Sequence, residues 1–193
     1  LFRSNPGDKI FCADGGAKYT YQLNLMPELI LGDLDSISEE IIEFYREHDT
    51  KFKKFPAEKN KSDTELLLET VLDRGHEEII LLAALGGRFD HALANLYLLE
   101  GMFRKQAEIK IVTPNNHLTV IQRHKTIKNQ STKTISFLPL SKEVTGVTLK
   151  GFKYELENDS LTRGETLGLS NIIQSNSAQV EIETGTLLMV LNN

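Results

Sequence analysis

From Lys9 to Val112, short apolar runs of strand length alternate with longer segments whose apolar residues recur at helical spacing, and beyond Thr113-Pro114-Asn115-Asn116 that alternation stops. Lys9–Ala13, Leu29–Leu31, Lys51–Phe55, Ile79–Ala84 and Glu108–Val112 read as strands, and Ala17–Leu25, Ser38–His48, Thr64–Arg74 and Phe89–Lys105 as helices. Alternation of this kind predicts a mostly parallel sheet flanked by helices. After Asn116 only short alternating runs remain, His117–Gln122, Thr134–Leu138, Val144–Leu149, Gln179–Glu183 and Leu187–Leu191, separated by Gly, Asn and Ser. Short strands at that spacing predict an antiparallel sandwich or barrel-like domain. The expected fold class is therefore α/β: a Rossmann-like N-terminal domain over residues 1–115, followed by an all-β, sandwich-like domain over 116–193. Two helix starts read as capping boxes, Ser36-Ile37-Ser38-Glu39 and Ser62-Asp63-Thr64-Glu65, where hydroxyl and carboxylate each satisfy an orphan backbone donor.

The 193 residues, 40% of them hydrophobic, can bury a sizeable core. A net charge of −5 and a pI near 5.6 argue against a nucleic-acid binder, which shows a clustered basic face. The single cysteine, Cys12, excludes an internal disulfide and reads as a core residue. No run approaches the roughly 18 apolar residues of a membrane span, so the expectation is a cytoplasmic protein with no membrane partner. The chain opens on Leu1-Phe2-Arg3 without an initiator Met, which leaves room upstream for a first strand.

Four polar segments follow the expected strands and precede expected helices: Ala13-Asp14-Gly15-Gly16, Gly32-Asp33-Leu34-Asp35-Ser36, Lys61-Ser62-Asp63 and Gly86-Gly87-Arg88-Phe89-Asp90. In open α/β sheets ligands bind beyond the carboxyl ends of the strands, so all four are expected on one rim. In an extended chain, residues i and i+2 point to one side, which would present Asp33 and Asp35 together. Clustered carboxylates repel by roughly 4 kcal/mol per pair at 4 Å and an effective dielectric of 20, and a divalent cation relieves that. Hard oxygen ligands without Cys or His favour magnesium, which bridges to substrate phosphates. Gly15, Gly16 and Gly87 would let backbone N–H groups approach phosphate oxygens, and the Arg88 guanidinium suits a bidentate phosphate contact. Neither a Gly-x-x-x-x-Gly-Lys-Ser/Thr loop nor a Gly-x-Gly-x-x-Gly loop occurs. Singly, each segment also reads as ordinary structure: Asp63 complementing a helix dipole, Asp14-Gly15-Gly16 a turn, Asp33 and Asp35 turn or cap residues, Arg88 and Asp90 a local ion pair.

Together with Leu169-Ser170-Asn171, these segments in this order resemble the thiamin pyrophosphokinase family over nearly the whole chain. The resemblance implies transfer of pyrophosphate from ATP to the hydroxyl of thiamin, releasing AMP, by a homodimer whose active site is built from two subunits. It implies Mg²⁺ held by Asp33, Asp35 and Asp63, with Asp14 and Asp90 at the reaction centre and Arg88 neutralising the triphosphate. Asp14, Asp33 and Asp90 are the alternatives for orienting or deprotonating the alcohol. Gly15, Gly16, Gly87, His91 and Asn95 would line the nucleotide, Asn95 reading equally as a packing residue, and Ser170 with Asn171 would contact the aminopyrimidine of thiamin. Some eukaryotic members stack a last-strand tryptophan on the vitamin, whereas this chain has no Trp and offers Leu187-Leu188-Met189, with Met189 or a neighbour as apolar cover. Rival readings are a pyrophosphokinase for another alcohol such as a pterin, a phosphatase with Asp33 as nucleophile, and a nucleotide- or thiamin-binding protein without catalysis.

Overall fold

The computed structural model describes Asn5 and residues 7–103 and 107–193, which fall into two compact units, Leu1–His76 and Glu77–Asn193. In the first, β1 (Phe11–Ala13), β2 (Leu29–Gly32) and β3 (Lys51–Lys54) form a parallel sheet in the order β1-β2-β3. The connections carry α1 (Ala17–Gln22) and α2 (Glu39–Glu47), and α3 (Asp63–Asp73) follows β3. All four residues of β2 are buried, as expected of an apolar central strand covered on both faces. The core joins Cys12, Ala17, Ile30, Ile37, Ile42 and Tyr45. The Tyr45 hydroxyl, fully buried, donates to Thr20 Oγ1 at 2.8 Å, and Thr20 donates on to the Ala17 carbonyl at 3.0 Å, so no hydroxyl in that chain is stranded. Cys12 is buried beside Thr20, and burial pushes its thiol pKa up, as a core cysteine requires.

The second unit begins with β4 (Glu78–Leu82), α4 (Phe89–Phe103) and β5 (Glu108–Val112), where β4 and β5 pair in parallel. It continues through β6 (Asn116–Ile121), β7 (His124–Lys128), β8 (Thr134–Pro139), β9 (Glu143–Lys150), β10 (Leu156–Thr162), β11 (Asn171–Ile172), β12 (Ser177–Glu181) and β13 (Leu187–Asn192). Six strands form one sheet, β11-β8-β13-β6-β5-β4, and four another, β10-β9-β12-β7. Ile135, Phe137, Val147, Leu149, Val180 and Leu187, from both sheets, share one core.

Strands β1 to β3 pair in parallel, as do β4 and β5, but they do not form the single parallel sheet expected: β5 also pairs antiparallel with β6 and so carries β4 and β5 into the sheet of the later strands. The Thr113-Pro114-Asn115 turn enforces this, since Thr113 N donates to the Asn116 carbonyl at 2.9 Å and Thr113 Oγ1 accepts from Asn116 N at 2.9 Å. The hydroxyl half of one capping box forms and the other box does not. Ser62 Oγ accepts from Glu65 N at 3.2 Å, whereas α2 is capped at Ser38, without a side-chain bond, and Ser36 instead donates to Asp35 Oδ1 at 3.0 Å. Strands β7, β10 and β11 were not expected. The last residues of the helix expected to reach Lys105 lie outside the described residues.

Candidate functional site

Asp14 leaves β1 with φ 39°, in the left-handed region, and opens a single 3₁₀ turn, Asp14–Gly16, that leads into α1. Asparagine and aspartate enter that region more readily than most residues. Gly32, at the end of β2 with φ 152°, lies against it: a Cβ there would stand 2.9 Å from Asp14 Cβ. Only glycine permits this approach, which sets Asp14 beside the next acid along β2. Asp33 follows, and its Oδ1 accepts from Asp35 N at 3.2 Å. Asp63 is the first residue of α3, behind the Ser62 cap.

These turns bring one carboxylate oxygen each of Asp14, Asp33 and Asp63 within 4.8 Å of one another, all three residues partly buried. Asp14 Oδ1 and Asp63 Oδ1 are buried without a hydrogen-bond partner among the described residues. Lys59 Nζ stands 3.0 Å from Asp63 Oδ1, at ion-pair distance but without the alignment of a hydrogen bond. One ammonium against three carboxylates leaves the cluster short of positive charge. An orphaned buried Asp14 oxygen in an all-carboxylate donor set that one ammonium does not neutralise fits a hard divalent cation.

Membership of this cluster differs from the expectation. The chain is not extended across Asp33-Leu34-Asp35, because Leu34 turns at φ 68°. Asp35 is therefore exposed, bonded to Ser36, and stands outside the three-acid group, while Asp14 stands inside it. The sequence carried a signal for Asp14, a strand ending in Asp-Gly-Gly opposite a strand ending in Gly-Asp, but Gly32 and Lys59 were not recognised as its supports. Gly15 and Gly16 form the turn itself, Gly16 capping α1.

In the second unit, the Arg88 guanidinium grips Asp90 with both prongs, Nε to Oδ1 at 3.2 Å and Nη2 to Oδ2 at 2.5 Å. That fork holds the Asp90 carboxyl down to about 2. Asp90 Oδ1 also accepts from His91 N at 3.0 Å, and the His91 side chain is exposed. Gly87, at φ 73°, has open space around it. Asn95 is buried, and its Nδ2 donates to the Ala84 carbonyl at 2.9 Å, tying α4 to the loop that carries Gly86, Gly87 and Arg88. It serves there as a packing residue.

Ser170 is exposed at φ 55°, its backbone N donating to Ser136 Oγ at 3.0 Å. Asn171 is 2% exposed. Its Oδ1 accepts from Tyr154 N at 3.0 Å and Ile172 N at 2.8 Å, and its Nδ2 donates to the Tyr154 carbonyl at 2.7 Å. Met189 does not offer apolar cover at the surface. Strand alternation sends Leu187, Met189 and Leu191 into the core with Phe137.

A mixed α/β chain with aspartates gathered where its strands end presents them where open α/β sheets bind ligands. The family model for the thiamin pyrophosphokinase catalytic domain matches residues 5–112, and that for the thiamin pyrophosphokinase vitamin B1 binding domain matches 121–189. The chain is 29% identical to thiamine pyrophosphokinase of Bacillus subtilis over 179 residues, 92% of this chain and 84% of that one. Its fold matches the crystal structure of the Bacillus subtilis enzyme with a TM-score of 0.89 at 26% identity, covering 98% of this chain and 90% of that one. The thiamin pyrophosphokinase of Geobacillus thermodenitrificans matches with a TM-score of 0.86 at 30% identity, covering 98% and 88%. The chain belongs to the thiamin pyrophosphokinase family of transferases.

Proposed function

We propose that this chain transfers the terminal pyrophosphoryl group of ATP to the hydroxyl of thiamin, giving thiamin diphosphate and AMP. The observation that carries the reading is the cluster of Asp14, Asp33 and Asp63, with a buried Asp14 oxygen that has no hydrogen-bond partner among the described residues, in a chain of this family. Asp14, Asp33 and Asp63 would hold Mg²⁺, with Asp35 as the adjacent exposed acid. When bound, the ion supplies positive charge to the phosphate oxygens and orients them. Gly15 and Gly16, in the turn that leads into α1, and Gly87, with open space around it, would let phosphate approach the backbone, and Arg88 would fork a phosphate on release from Asp90.

Asp14, Asp33 and Asp90 are the candidates for orienting or deprotonating the alcohol, Asp14 and Asp33 lying in the acid cluster and Asp90 in the Arg88 fork, which it holds in place. Asn95 sets the loop that carries Arg88. The division of labour runs between a Rossmann-like ATP half, residues 1–115, and a sandwich-like thiamin half, 116–193, and it is supported by where the two family models meet. Ser170, exposed beside β11, faces solvent as an acceptor contact would. The working form is a cytoplasmic homodimer. Among the described residues no helix is long and apolar enough to cross a membrane.

The test is an assay of the purified protein with ATP, thiamin and titrated Mg²⁺ that resolves AMP, ADP and thiamin diphosphate. AMP and thiamin diphosphate in equal amounts support the reading. ADP, or turnover indifferent to Mg²⁺, refutes it. Light scattering of the eluting protein tests the dimer.

A further inference from the structure

Lys59, in the loop between β3 and α3, is far more buried than lysines usually are. Its side chain is 14% exposed, against 33% to 52% for Lys9, Lys61, Lys110 and Lys125 in their own ion pairs. Withdrawing an ammonium from water costs hydration and rotamer freedom. What holds Lys59 in return is slight: Asp63 Oδ1 at 3.0 Å without the alignment of a hydrogen bond, and one hydrogen bond from Nζ to the Pro56 carbonyl of its own loop at 3.1 Å. Lys61, two residues on, is held differently. Both oxygens of Glu69 accept from its Nζ, at 2.7 and 2.6 Å, and that bond raises its pKa, so its charge is committed to α3.

The loose hold of Lys59 falls on an acid that belongs to the cluster of Asp14, Asp33 and Asp63. Without a divalent cation, this one ammonium is the charge that stands against the three carboxylates. With a divalent cation bound, ammonium and metal ion would contend for the Asp63 carboxylate, and like charges at that range repel. A compact charge on a flexible four-carbon stem then turns to another anion within reach, and the proposed reaction brings one, the triphosphate. We infer that Lys59 is an exchangeable counter-ion, which neutralises part of the acid cluster in metal-free protein and passes from Asp63 to a phosphate oxygen of the nucleotide when the cation binds. This inference rests on the proposed magnesium and ATP reading, and its test separates the two.

The exchange gives opposite signs for the two ligands, which a packing role would not. Lys59→Met keeps an unbranched apolar stem and removes the charge. In EDTA it is expected to lower the melting temperature by about 2–4 °C, a deficit that disappears in saturating magnesium. Titrated calorimetrically with magnesium chloride alone, the variant should bind the ion about three- to tenfold more tightly than wild type. At saturating magnesium its KM for ATP should rise about tenfold. Lys59→Arg, which returns the charge, should bring both constants back toward those of wild type.

Magnesium affinity in Lys59→Met that equals or falls below that of wild type overturns the exchange, as does a melting deficit of the same size in EDTA and in magnesium. An unchanged KM for ATP overturns the passage to phosphate. The titration and the melts contain no substrate, so their outcome holds whichever alcohol the protein uses, whereas release of AMP by wild type decides the function. A wild type that binds no magnesium overturns the inference and the cation reading together.

Discussion

Asp14→Asn isolates charge at the acid cluster with little else changed. Asparagine is isosteric and tolerates the left-handed φ of 39° as well as aspartate does, so the turn should persist. At a separation of 4.8 Å, each carboxylate pair repels by about 0.9 kcal/mol at the dielectric of water and about 3.5 kcal/mol at an effective dielectric near 20. The three acids are only partly buried and Lys59 offsets some of the charge, so the lower end applies. Removing Asp14's charge removes two of the three pairs, a gain of about 1–2 kcal/mol in metal-free protein, or about 2–8 °C in melting temperature at this chain length. Magnesium at a hundred times its dissociation constant should stabilise the wild type by about 2.7 kcal/mol, and that increment should shrink sharply in the variant. The assay is a pair of thermal melts, in EDTA and in a magnesium titration. A variant less stable in EDTA, with the magnesium shift intact, would refute both the repulsion and the cation site.

Gly32→Ala places a Cβ 2.9 Å from that of Asp14 in a conformation hostile to alanine, and should cost about 1–3 kcal/mol in denaturant unfolding while removing magnesium-dependent turnover. Ser62→Ala should cost about 1 kcal/mol of stability because a real cap bond is lost, whereas Ser36→Ala, which caps nothing, should fall within about 0.5 kcal/mol of wild type; equal costs would contradict the capping geometry. Because the Asp90 pKa is depressed, its ion pair with Arg88 favours the fold above the ordinary value of 3.8 and is lost as pH falls through about 2. In Arg88→Gln the Asp90 carboxyl should titrate close to 3.8 by NMR, and a wild-type midpoint already there would dismiss the fork.

The alternation before Val112 was legible because most strands there, β3 with its three lysines excepted, are apolar runs bounded by turn residues, and every expected helix occurs within a few residues of its reading. What escaped was set by backbone geometry. The same-side placement of Asp33 and Asp35 assumed extended chain, and one left-handed residue, Leu34, undid it. Ser36 and Ser38 are both plausible caps by composition, and the turn through Asp35 selects Ser38. Strand β10 reads Leu-Glu-Asn-Asp-Ser-Leu-Thr, poor in β-formers, and holds its place through a ladder with irregular register on β9. Asn171 was placed at thiamin by resemblance alone; that its amide bonds the Tyr154 backbone is visible only in the fold.

The antiparallel pairing of β5 with β6 bears on how this chain could be dissected. Lys110, Ile111 and Val112 face Thr119, Leu118 and His117 across a turn of a few residues. A fragment beginning at Asn116 would present that side of β6 as a bare edge of apolar residues, Leu118, Val120 and Ile121 among them. Such an edge recruits other strands, including those of its own copies, so expression of the later residues alone should yield aggregates. Starting the fragment at Glu77 instead keeps β4 and β5 in place as the sheet's own margin.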